Sequence, residues 1–109
     1  MKISIISEPN NFSVQRPAGS MLRDLRLLGF RSDCADFDNS IKSQIKCAVR
    51  DGTDWVVILR EEELNRGEVI VKNLGTSENF IKQIDDVLFF FYKNSRDHAE
   101  IRSRRRVAA

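Results

Sequence analysis

The sequence predicts a three-layer α/β domain, with helices on both faces of a mixed, mostly parallel sheet of four or five strands. Three observations carry this. Trp55-Val-Val-Ile-Leu59 is an unbroken apolar run, as a strand covered on both faces requires. The segment just before it, 40–50, is amphipathic at helical period and stops at Asp51-Gly52. Strand and helix signals alternate up to that run, which implies right-handed crossovers and parallel neighbours.

The elements follow in order. Ile3, Ile5 and Ile6, ended by Glu8-Pro9-Asn10, predict a first strand. Residues 8–19 read as a loop, because Pro17 and Gly19 argue against a regular element. Ser20 then caps a helix whose stripe is Met21, Leu22, Leu25 and Leu28, and Gly29 stops it. A second strand is expected over 30–37, polar for a central position because of Ser32, Asp33 and Asp36. Asp38, Asn39 and Ser40 are all good N-caps for the next helix. Ile41, Ile45, Ala48 and Val49 line its apolar face, and Lys42, Lys46 and Arg50 repeat at i, i+4, i+8 on another. After the run at 55–59, Asn65-Arg66-Gly67 turns the chain into a fourth strand over 68–72, expected to be antiparallel. Phe80, Ile84, Val87, Leu88 and Phe91 fit a helical period, yet Asp85 is a good N-cap, so 79–84 is either helix or a separate element.

Length and composition bound the function. The 109 residues make one domain with a modest core. Net charge is +2, and residues 96–109 hold five Arg against Asp97 and Glu100, which leaves the body near neutral. That tail, with Arg102, Arg104, Arg105 and Arg106, is read as a basic extension of the last helix behind a domain at 1–95. It is either a solubilising end or a nonspecific arm for polyanions. Cys34 and Cys47 lack metal-ligand spacing and read as reduced thiols in or near the core of a cytoplasmic protein. No apolar run is long enough to span a bilayer, and MKISIIS is too short for a signal peptide. One His, no G-x-S-x-G, no P-loop and no Gly-rich dinucleotide loop leave the chain without a catalytic motif. No cofactor and no metal is expected.

The pattern through residues 38–78 is specific. Ser40, Lys42, Lys46 and Ala48 precede Gly52 and the apolar strand at 55–59. Glu61 to Glu63 and Gly67 then lead to Val69-x-Val71-Lys72-x-Leu74-x-Thr76. In this the chain resembles the anticodon-binding domain of class IIa aminoacyl-tRNA synthetases, most closely the histidyl type, over roughly residues 1–92. The resemblance implies a short strand at 79–84 before a last helix from about 86 to near 100. The element order becomes β-α-β-α-β-β-β-α. Two departures stand out. Arg60 occupies the position after the third strand where family members usually carry Gly, filling space that lets a base or backbone come close. The stretch 8–19 also looks less helical than its family counterpart.

The function implied is noncatalytic binding of a tRNA anticodon stem-loop, by a part or paralogue of a histidyl-type synthetase. Synthetase motifs for amino-acid activation are absent from this sequence, so the chain alone is not expected to be an enzyme. Lys42, Lys46 and Arg50 are candidates to follow a phosphate backbone, against the alternative of a solvated outer face. Arg60, Glu61 and Glu62 fall where ligands of open α/β sheets bind, outside the carboxyl ends of strands. Arg pairs with a guanine edge or stacks on a base, and Glu accepts from base amino groups; the alternative is a charged turn that repels phosphate. Lys72 completes the RNA-contacting set. The rival expectation is a synthetase-derived protein-interaction or dimerisation module without tRNA binding. Phe89 to Tyr92 would then matter most, since four consecutive residues on a helix cannot all face the core.

Overall fold

The structure is a computed structural model and describes residues 1–34 and 38–94. Strand β1, Lys2–Ser7, has every residue after Lys2 buried, because both faces are covered. The chain then turns through Asn10, which takes φ 57, and enters helix α1, Phe12–Leu27. The expected loop at 8–19 is therefore wrong over most of its length. Asn11, rather than Ser20, is the cap: its side chain accepts from the Ser13 N–H at 3.1 Å. Pro17 sits inside the helix and supplies no N–H for the Ser13 carbonyl, a loss that ordinarily costs about 3 kcal/mol. What outweighs it is a buried face of Val14, Ala18, Met21 and Leu25, the large members worth roughly 1.5–3 kcal/mol each.

The helix stops as the glycine indicated. Gly29 takes φ 91, its N–H donates to the Arg26 carbonyl, and the Phe30 N–H reaches back to that of Leu25 at 3.0 Å. Strand β2 is Arg31–Cys34, shorter than the expected 30–37, whose last three residues lie outside the described ones. Helix α2, Ile41–Arg50, is capped by Ser40, whose Oγ accepts from the Ser43 N–H. Its inward face differs from expectation by one position. Val49 is 59% exposed, whereas Gln44 is 1% exposed.

Strand β3, Trp55–Leu59, is the middle of five in the order β2-β1-β3-β4-β5, as its apolar run required. It lies parallel to β1, which lies parallel to β2. The acidic stretch after it forms a short helix, α3, Glu61–Leu64. Strands β4, Glu68–Asn73, and β5, Asn79–Gln83, complete the sheet as antiparallel neighbours. A 3-10 turn, Ile84–Asp86, leads into helix α4, which runs from residue 87 through 94, the last described. The basic tail and the expected continuation of α4 lie outside the described residues.

The two sheet faces carry separate cores. Alternate residues Ile3, Ile5, Val57, Leu59, Val69 and Val71 pack under α1 and α4, with Val87 and Phe91 from α4. Ile6, Val56 and Ile58 pack under α2 with Ala48. Of the aromatic run, Phe90 and Phe91 turn inward against Trp55, while Phe89 and Tyr92 are exposed. Among the described residues no helix is long and apolar enough to cross a membrane.

Candidate nucleic-acid interface

Two surfaces hold the residues singled out from the sequence. The first is the outer face of α2. Ala48 and Gln44 point at the sheet, which leaves Lys42, Lys46 and Arg50 exposed on the far side of the helix. At a rise of about 1.5 Å per residue the cations stand roughly 6 Å apart along the axis. Among the described residues neither lysine has an ion-pair partner; Arg50 lies 4.0 Å from Asp51 and donates to the Cys47 sulfur at 3.5 Å.

Gln44 is what fixes the start of this helix, and sequence reasoning missed it. Among the described residues the last β1–β2 pair is Ile5 with Cys34, and the backbone of Ser7 is met by the Gln44 side-chain amide. It accepts from the Ser7 N–H at 3.2 Å and donates to the Ser7 carbonyl at 2.8 Å. It also donates to the Asn39 carbonyl at 2.8 Å, tying the cap region down. The N-terminus of α2, with Lys42, is thereby held at the carboxyl end of β1.

The second surface is the crest formed by the carboxyl ends of β1 and β3. Arg60 follows β3 directly and is partly exposed. Its Nε donates to Glu63 Oε1 at 2.5 Å, and Glu63 is 3% exposed. Arg60 thus neutralises a buried carboxylate one helical turn on. That hydrogen bond raises the Arg60 guanidinium above its already high value, so it stays charged at any working pH. The Glu61 N–H, at the start of α3, donates to Glu8 Oε1 at 2.5 Å, and Asn11 donates to Glu61 Oε2 at 3.2 Å. Glu61 and Glu62 are exposed. With Glu8, Glu61 and Glu62 at its rim, the crest is rich in acceptors and unfavourable to phosphate.

The structure brings Lys42 near the crest but not the other cations. Helix α2 runs back from the strand carboxyl ends, so Arg50 lies toward the start of β3. Lys72, on β4, pairs with Val56 near that same start and faces the α2 side of the sheet. The candidates therefore divide into an acidic crest with Arg60, and a basic line descending α2 to the region of Lys72.

A cleft of about 240 Å³ lies between α2 and the β1–β2 edge, lined by Ser4, Asp33, Cys34, Gln44, Cys47 and Arg50 among others. Both cysteines are free and half-buried. Burial pushes the Cys34 thiol up, against the opposing pull of Arg26. Among the described residues no group of three or more His, Cys, Asp or Glu side chains is placed to hold a metal ion.

This architecture is shared with known proteins. The family model described as "Anticodon binding domain" matches residues 3–94. The chain is 32% identical over 77 residues to a histidine–tRNA ligase of Desulforamulus reducens, covering 71% of this chain and 18% of that one. It is 31% identical over 78 residues to the corresponding ligase of Staphylococcus saprophyticus, covering 72% and 19%. The apo histidyl-tRNA synthetase of Staphylococcus aureus superposes with a TM-score of 0.75 at 26% identity, over 84% of this chain and 23% of that one. The RNA binding domain of threonyl-tRNA synthetase from Cryptosporidium parvum shares the fold alone, with a TM-score of 0.74 at 16% identity over 84% and 23%. The chain spans about a fifth of the length of the curated ligases it matches. With a match running from β1 into α4, it belongs to the anticodon-binding-domain family.

Proposed function

We propose that this domain binds a tRNA anticodon stem-loop without catalysing a reaction, as a part or paralogue of a histidyl-type synthetase in the cytoplasm. The observation that carries the reading is the exposed Lys42–Lys46–Arg50 line, which starts beside the carboxyl ends of the parallel strands in a domain of this family. The two surfaces divide the work. The α2 cations follow phosphates, and Lys72 extends the same positive side of the sheet. The crest takes unstacked bases. Glu61 and Glu62 accept from exocyclic amino groups, for which an acidic rim is suited and a phosphate is not. Arg60 plays a double role: its Nε is held by Glu63, and its remaining guanidinium N–H groups, which bond no side chain among the described residues, face a base.

The rival reading, a protein-interaction module, draws on one observation. Phe89 and Tyr92 are 68% and 50% exposed on α4, away from both RNA-facing surfaces. Titration of labelled anticodon stem-loops, that of histidine tRNA first, distinguishes the two. Salt-sensitive binding with a preference among loop sequences supports the RNA reading. No binding at low salt, together with capture of a protein through the Phe89–Tyr92 face, would replace it.

A further inference from the structure

Strand β5 closes the sheet on one side, and its outer edge has no neighbour among the described residues. The Asn73 N–H donates to the Glu78 carbonyl at 2.9 Å and the Ile84 N–H to that of Gly67 at 2.8 Å. Even-numbered residues from 78 to 84 therefore turn their backbone groups toward β4. Alternation along an extended strand turns those of Asn79, Ile81 and Gln83 outward.

Exposed edges are usually blunted by proline, a bulge, or charges that repel a second strand. This one has no proline, no bulge and no charge on a residue whose backbone faces outward. Its pairing with β4 runs unbroken from Gln83 to Asn79, and its three outward residues are uncharged. Ile81, at its centre, is 63% exposed and stands on the α2 side beside Ile70. The only charged residue, Lys82, lies over the rings of Phe80 and Phe90 on the other face, at 5.9 and 5.0 Å.

The strand is self-complementary about Ile81. A two-fold axis there sets Ile81 against Ile81 of a second copy, and Asn79 against its Gln83. These are the residues whose backbone groups face outward, so the antiparallel ladder extends with about six hydrogen bonds. The closer, non-hydrogen-bonded pairs set Lys82 against Phe80 in both directions, repeating across the seam the cation–ring contact made within the chain. Sliding two residues one way would oppose Lys82 to Lys82. Sliding the other way runs the pairing off the strand into the turn at Ser77, which takes φ 64. One register uses the whole strand without opposing like charges.

We propose that two copies of this chain join antiparallel through β5, making one continuous sheet across a two-fold axis at Ile81. An interface of one short strand pair is small, so the dimer is a weak, concentration-dependent one. Sedimentation equilibrium of the full chain from micromolar to millimolar concentration tests it. The apparent mass is expected to rise from 12.6 kDa toward twice that value. Exchange of the Asn79, Ile81 and Gln83 amides is expected to slow in step. Ile81→Lys places like charges at the axis, and Ile81→Pro removes an outward N–H while sparing the bonds to β4. Each is expected to raise the concentration at half-dimerisation at least tenfold, while Lys46→Ala leaves it unchanged. If Ile81→Pro does not fold, Ile81→Lys decides the matter. A wild-type mass constant through millimolar concentration overturns the proposal. A dimer that persists in the Ile81 variants overturns it equally, because it then uses another surface.

Discussion

Replacing Gln44 by leucine keeps most of the volume of the side chain and removes every polar contact it makes. Three backbone groups depend on that amide: the Ser7 N–H at 3.2 Å, and the Ser7 and Asn39 carbonyls at 2.8 Å. Gln44 is 1% exposed and Ser7 is 0% exposed, so the two Ser7 groups gain no bulk water when the amide is removed, whereas the Asn39 carbonyl belongs to an exposed residue. An orphaned buried polar group costs about 1–3 kcal/mol, which sets an upper range of about 2–6 kcal/mol for the two Ser7 groups. The adjoining cleft of about 240 Å³ has polar side chains such as Ser4 and Asp33 in its lining and is large enough to admit water, and carbonyls keep a second lone pair. The lower end, about 2 kcal/mol, is therefore expected. Urea unfolding followed by far-ultraviolet circular dichroism measures it, as a fall in midpoint with an unchanged slope. Gln44→Glu is expected to be worse at neutral pH, since a carboxylate would face two carbonyls without a proton to donate. A Gln44→Leu variant within about 0.5 kcal/mol of wild type, the range of ordinary surface changes, would refute the idea that this amide satisfies the buried backbone of Ser7.

Three further outcomes are expected. Val57→Asp puts an unpaired charge in the central strand, where Val57 is 0% exposed; the cost of several kcal/mol rivals the stability of a small domain, so the variant should give no cooperative unfolding transition. Arg60→Ala leaves the Glu63 carboxylate buried without its cation and should cost about 1–3 kcal/mol at neutral pH, whereas Glu62→Ala, at an exposed position, should cost under about 0.5 kcal/mol; equal effects in urea unfolding would mean that Arg60 is not a structural partner. Cys34 has its folded-state pKa raised above the ordinary 9.0 by burial; the neutral thiol is favoured in the fold, so its contribution is intact below that value and declines as pH rises past it. Cys34→Ala should accordingly lose less stability than wild type above about pH 9, and parallel alkaline profiles would contradict this.

What the sequence disclosed depended on whether the deciding interaction was local. Trp55–Leu59 is legible as the central strand because burial on both faces demands five apolar residues in a row. The exposure of Lys42, Lys46 and Arg50 is legible because a helix with Ala48 inward leaves them no other side. Helix α1 was hidden by Pro17 and Gly19, although Val14, Ala18, Met21 and Leu25 already recur at helical spacing; burial of that face outweighs one absent hydrogen bond. Gln44 was not legible, because the need for a buried amide arises from the backbone of Ser7, 37 residues away in sequence. Nor was the partner of Arg60. Three glutamates follow it, and only the helical turn at 61–64 selects Glu63, three residues on, as the one it reaches.

The proposed division of the surface into a phosphate-following helix and a base-receiving crest is tested most directly by one salt titration. Fluorescence anisotropy with a labelled anticodon stem-loop would compare wild type, the Lys42→Ala/Lys46→Ala/Arg50→Ala triple variant, and Glu61→Ala. Wild type should bind in the micromolar range or weaker at physiological salt. The triple variant should weaken all loops alike and flatten the slope of log affinity against log salt by about 2, at roughly 0.7 for each phosphate no longer neutralised. Glu61→Ala should keep the slope and change the preference among loop sequences. Wild-type binding with an unchanged slope in the triple variant, or no binding of any loop at low salt, would contradict the account.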